Sequence, residues 1–116
     1  IVVEGAKSDA DAKLVGNSVA NYNLLKVAIY GENPNWGRVM AAVGASGAAV
    51  VEEKIAVYLS GKNAVRNGTA GSADIEELKK VFKAKDIQIK INLGLGKGKA
   101  RVWTCDFSHA YVDINV

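Results

Sequence analysis

Apolar and polar positions change their period several times along the chain, and each change marks an element. Residues 1–4 form a short β-prone run, and Ser8 follows as a helix N-cap with Asp9 and Asp11 in the first turn, where the helix dipole favours negative charge. Ala10, Leu14, Val15, Val19 and Ala20 recur at helical spacing, and Asn21 to Asn23 supply the stop. Leu24 to Tyr30 is apolar apart from Lys26, which reads as a strand covered on both faces. Gly31 to Asn35 is a dense turn: Pro34 pushes Asn33 out of helical geometry, and Asn35 is placed to cap a helix over Trp36–Val43. The small residues Ala41, Ala42, Gly44 and Ala45 predict unusually close packing of that helix.

In the second half, Ile55, Val57 and Leu59 alternate with Ala56 and Tyr58, predicting a strand over Lys54–Ser60. Gly61-Lys62-Asn63 makes a tight connection to Ala64-Val65-Arg66, and residues 67–72 are a loop. Asp74 and Glu77 form a capping box for a helix through Lys83 that buries Ile75, Leu78, Val81 and Phe82. Ile87, Ile89, Ile91 and Leu93 give the cleanest half-buried strand. A Gly-rich link joins it to a run over Ala100–Phe107, and the two are expected to pair as a hairpin. Ser108 to Tyr111 reads as one helical turn and Val112 to Val116 as a last strand. The fold class is therefore α/β in the mixed, α+β sense, with residues 1–116 as one domain.

Composition excludes more than it selects. With 49% hydrophobic and 23% charged residues and a single Pro, the chain has the makings of a folded domain. The net charge of +3 comes from lysines and an arginine between Lys79 and Arg101. Phe82 and Trp103, the aromatics nearby, fall at core-facing positions, so the basic residues read as a solvated face and no nucleic-acid partner is expected. The longest apolar stretch, Ala41–Val51, is interrupted by Gly44, Ser46 and Gly47 and is too short to span a bilayer, so no membrane is expected either. Cys105 is the only cysteine, which excludes an intrachain disulfide and a cysteine-based metal site and suits a reducing, cytoplasmic setting. Ile1 stands where an initiator Met is absent, and the start reads as a cut within a longer polypeptide. A small chain taken from a larger fold leaves apolar surface without cover.

Candidate chemistry is sparse. Residues 94–99 (GLGKGK) invite comparison with phosphate-binding loops, but both nucleotide motifs need a following helix and here a strand-like run follows, so the segment reads as a hairpin turn. His109, beside Asp106 and Ser108, cannot converge with them as a triad within one loop and is read as exposed or capping. Cys105 reads as a small buried residue. Arg38 is either a contact for a substrate carboxylate or a member of a structural ion pair.

Residues 26–38 (KVAIYGENPNWGR) are different in kind. With VEGAKSDADA at 3–12, SVAN at 18–21, AAVG at 41–44, VWTCDF at 102–107 and YVDIN at 111–115, in this order, the chain resembles the ornithine acetyltransferase (glutamate N-acetyltransferase) family over essentially its whole length. The resemblance implies the C-terminal part of a β chain with the family's self-cleaving aminopeptidase-like fold, from a precursor that cuts itself between Ala and Thr. It also implies an acetyl-threonine intermediate, transfer from N-acetylornithine to glutamate in arginine biosynthesis, no cofactor and no metal. The implied partners are the N-terminal α chain and the rest of the β chain in a heterotetramer, with amino acids as substrates.

The nucleophilic Thr, the oxyanion-hole donors and an acidic substrate contact fall upstream of Ile1 on this reading. No catalytic residue lies in the segment, since Thr69 and Thr104 are internal and lack the free α-amine that serves as base. Asn115 matches the family's near-terminal substrate-binding asparagine. Asn33 and Phe107 depart from the commoner Asp and Leu. Other readings are a paralogue with a different acetyl donor or acceptor, a relative of the self-cleaving aminopeptidases, and a non-catalytic domain that binds an anionic partner through the 94–101 hairpin.

Overall fold

The computed structural model describes residues 1–33, 35–83 and 86–104, and the backbone of 113–115. In chain order the elements are β1 (Val2–Ala6), α1 (Asp9–Ala20), α2 (Asn23–Tyr30), α3 (Trp36–Gly44), β2 (Ala56–Leu59), β3 (Lys62–Arg66), β4 (Thr69–Ala70), α4 (Ile75–Lys83), β5 (Ile89–Asn92), β6 (Gly98–Trp103) and β7 (Asp113–Asn115), with a single 3-10 turn at Glu52–Lys54 before β2. The strands form one mixed sheet in the order β4-β3-β2-β5-β1-β6-β7. Only β1 and β5 run parallel; the other neighbours are antiparallel. The mixed α/β class read from the sequence is the observed one.

Register lines up Val65, Val57, Ile91, Val3 and Ala100 across five strands, and all are buried. With Val15, Val19, Leu25, Val39, Val43 and Phe82 from the helices they form one hydrophobic cluster, so the helices cover one face of the sheet. The opposite face carries Tyr58, Lys90, Asn92, Glu4 and Arg101, half-buried or exposed, and Lys90 pairs with Glu4 at 3.3 Å.

Helix α1 starts as expected: the Ser8 hydroxyl accepts from the Asp11 N–H at 3.1 Å. Its buried side, however, is Ala12, Val15, Gly16, Val19 and Ala20, while Ala10 and Leu14 are exposed. Gly16 explains the rotation. A Cβ there would lie 2.5 Å from Val102 Cγ2, so the helix approaches β6 more closely than any other residue type permits.

Three larger expectations are also corrected. The segment Leu24–Tyr30 is helix α2 and not a strand. Leu25, Ala28 and Ile29 recur at helical spacing toward the core, and packing against α3 decides between two readings that the apolar run left open.

Strands β5 and β6 do not pair, because β1 lies between them. Residues 94–97 cross the end of β1 instead: Gly5, at φ +71 where β1 bulges, offers its carbonyl to the N–H groups of Leu95 at 2.7 Å and Gly96 at 2.9 Å. Trp103 is the third correction. Gly98, Ala100 and Val102 take the helix-facing side of β6, which leaves Trp103 on the other side at 52% exposure, with the Arg101 guanidinium 5.8 Å from its ring centre.

The β2–β3 hairpin forms, but its turn is Ser60-Gly61, both with positive φ, and β3 already begins at Lys62. Asn67-Gly68 makes a second such turn and brings in β4, inside what reads as plain loop. The capping box of α4 is present in both directions, Glu77 N–H to Asp74 Oδ1 at 2.8 Å and Asp74 N–H to Glu77 Oε1 at 3.3 Å. Leu78 and Phe82 are buried below it, Val81 is half-buried, and Ile75, expected in the core, is 55% exposed. The helix over Trp36–Val43 extends to Gly44, but only Ala42 of its small residues is in a tight contact, where its carbonyl accepts from the Ser18 hydroxyl at 2.5 Å.

Candidate functional site

Two places gather the residues that the sequence singles out. The first is a cavity of about 370 Å³ between the turn after α2 and the β3–β4–α4 region, lined by Asn33, Asn35 and Trp36 on one side and by Ala64, Ala70, Ala73, Ile75 and Leu78 on the other. Asn35 sits at the N-cap of α3 as expected, yet its side chain makes no cap bond, and Arg38 N–H is received by the Asn35 backbone carbonyl at 3.2 Å. The lining is apolar with amide groups at one rim and has no ionisable side chain. It can hold a small amphipathic group but supplies neither acid, base nor nucleophile.

Arg38 lies outside that lining. Its Nη1 donates to the Leu24 carbonyl at 2.7 Å, tying α3 to α2. No ion pair of Arg38 is present among the described residues. The side chain does structural work here, through a carbonyl acceptor that neither sequence reading considered.

The second place is the β6–β7 ladder. Asn115 pairs with Arg101, Ile114 with Val102 and Asp113 with Trp103. The backbone of Asn115 is thus held opposite Arg101 at the sheet edge; its side chain lies outside the described residues, as do Cys105, Asp106, Ser108 and His109. The Ile1 nitrogen donates to the Val102 carbonyl at 2.8 Å.

The Gly-rich loop is not free to cradle a phosphate. Gly94 N–H donates to Asn92 Oδ1 at 2.9 Å, Leu95 and Gly96 donate to Gly5, and Lys99 N–H donates to Asp9 Oδ1 at 3.0 Å. The amides a phosphate would need already have acceptors. Thr69 is equally occupied: its hydroxyl donates to the Arg66 carbonyl at 3.1 Å, and its nitrogen is an internal peptide group of β4. Among the described residues no three His, Cys, Asp or Glu gather to hold a metal ion, and no helix is long and apolar enough to cross a membrane.

The cavity walls on β3, β4 and α4 were not legible beforehand, because alanines and an exposed Ile carry no chemical signal. The Asn67-Gly68 pair was the one local cue, since it marks a hairpin that pairs Ala70 with Val65, next to Ala64 in β3.

Compared with known proteins, residues 1–116 match the ArgJ family model across their whole length. The chain belongs to the ArgJ family. It is 43% identical over 113 residues to the arginine biosynthesis bifunctional protein ArgJ of Chlorobaculum tepidum, covering 97% of this chain and 28% of that protein. It is 46% identical over 116 residues to the protein of the same description from Nitrobacter winogradskyi, again spanning 28% of it. The crystal structure of ArgJ from Bacillus halodurans superposes with a TM-score of 0.87 at 32% identity, covering 95% of this chain and 52% of that one. The ArgJ family is the one that the ENPNWGR turn and the YVDIN motif pointed to, and the present segment spans 28% of the length of the two curated relatives.

Proposed function

We propose that these residues are part of an acetyltransferase that moves the acetyl group of N-acetylornithine to glutamate, in arginine biosynthesis in the cytoplasm. The observation that carries this reading is the ArgJ family match over residues 1–116. In the reaction a threonine hydroxyl, outside this segment, attacks the acetyl carbonyl carbon. The new C–O bond forms as the C–N bond breaks, and ornithine leaves with its amine protonated. The glutamate amine then attacks the ester, and the threonine oxygen leaves and regains its proton. The threonine becomes an N-terminal nucleophile by self-cleavage of the precursor, and the α and β chains assemble as a heterotetramer.

On this reading the present residues contribute binding and scaffold. Asn115, whose backbone pairs with Arg101 in the β6–β7 ladder, supplies an amide for the amino-acid part of the substrate. Arg38 holds α2 and α3 together at the ENPNWGR turn.

The test uses the polypeptide that carries this segment, incubated with N-acetylornithine and labelled glutamate. N-acetylglutamate should form, and Asn115→Ala should lower kcat/KM about tenfold or more, the size expected when a hydrogen bond to a charged group is lost. If no acetyl transfer occurs between these substrates, the reading fails. Transfer from a different donor such as acetyl-CoA would move the protein to a paralogous activity.

A further inference from the structure

Helix α2 carries large apolar residues on two sides, and one of those sides is exposed. Leu25 and Ala28 are 2% exposed and Ile29 packs against the core. On the other side Leu24, Val27 and Tyr30 are 55%, 61% and 76% exposed, one above the next at a spacing of three residues. An apolar stripe on a helix is ordinarily the face that packs against a neighbour. The surplus is not diffuse: of the seven large exposed hydrophobic residues among those described, three stand on this one helix of eight residues. The single charged residue of α2, Lys26, lies half-buried beside the stripe and not within it.

We infer that the Leu24–Val27–Tyr30 stripe is an internal interface, covered by an apolar helix or sheet face from the part of the ArgJ polypeptide that these residues do not span. The lengths identify the occupant. The segment makes up 28% of the Chlorobaculum tepidum relative and 52% of the Bacillus halodurans chain, so the family's polypeptide has further residues available to cover this face. An apolar cover fits the stripe best, because Leu24 and Val27 offer a charge no partner and would strip it of water. Arg38 fixes the presentation: its bond to the Leu24 carbonyl anchors the first turn of α2 to α3, so the stripe is held as a rigid ridge. The inference rests on family membership and is independent of which acetyl donor or acceptor is used.

The test is thiol protection. Val27→Cys, and separately Leu24→Cys, are made with Cys105→Ser in the full ArgJ polypeptide that carries this segment. Maleimide labelling is timed for each and compared with the same protein in urea. Both positions should label slowly at every protein concentration, about tenfold more slowly for each ~1.4 kcal/mol that uncovering costs. Labelling at the unfolded rate overturns the proposal. So does protection that is lost on dilution, which would make a second copy the occupant. Labelling needs no catalysis, so an inactive polypeptide that protects both positions leaves this inference standing while the acetyl-transfer reading falls.

Discussion

Gly16→Ala should destabilise the protein even though it replaces glycine by the best helix former in the middle of a helix. In an open helix the exchange gains about 0.8–1.0 kcal/mol. Here the added Cβ would sit 2.5 Å from Val102 Cγ2, where carbon atoms prefer about 3.5–4.0 Å, so the groups must part by roughly 1 Å. Neither can yield easily. Val102 is 0% exposed, and its branched side chain has little rotamer freedom on a central part of the sheet.

Overpacking of this kind costs about 1–3 kcal/mol, which leaves a net loss of about 1 kcal/mol. The decisive comparison is the same substitution in a Val102→Ala background. With Cγ2 gone, the nearest atoms are Val102 Cβ at 3.5 Å and Val3 Cγ2 at 3.7 Å, both ordinary contacts. Gly16→Ala should then stabilise by up to about 1 kcal/mol, so the sign reverses and the coupling approaches about 2 kcal/mol. Urea unfolding followed by circular dichroism measures all four proteins. A stabilising Gly16→Ala in the wild-type background, or an equal effect in both backgrounds, would refute the close approach of α1 to β6.

Other contacts make further predictions. Ser18→Ala removes the bond that joins α1 to the Ala42 carbonyl and should cost about 1 kcal/mol in urea unfolding; no change would mean that water satisfies the carbonyl equally well. Asp74→Ala breaks the capping box and should cost about 1 kcal/mol, while Asp74→Asn keeps the acceptor and should cost less. Arg38→Ala should lower stability by about 0.5–1.5 kcal/mol by freeing α2 from α3 and, on the proposed acetyl-transfer function, leave KM for N-acetylornithine and glutamate unchanged in the full polypeptide. A raised KM at unchanged stability would assign Arg38 to the substrate instead.

Local chemistry announced a good part of this molecule. Ser8 and the Asp74–Glu77 pair acted as caps because capping involves only residues three apart, and Ile89, Ile91 and Leu93 lie on one buried face because strand geometry alternates side chains regardless of neighbours. The ENPNWGR turn and the YVDIN motif were enough to point to the family, since so many chemically unusual residues seldom fall in that order.

What stayed hidden depended on partners distant in sequence. The apolar run Leu24–Tyr30 suits a strand and a helix almost equally, and only contact with α3 made it α2. The alternating patterns of β5 and β6 state which side of each strand is buried but not which strand lies next to it, so the insertion of β1 between them could not be read locally. The site shows the same division. Asn115 was named from its motif, whereas its position opposite Arg101, the cavity behind Trp36 and the grip of Arg38 on a backbone carbonyl arise only when separate elements meet. Hydrogen bonding to a carbonyl leaves no side-chain signature in the acceptor's sequence, because every residue carries one.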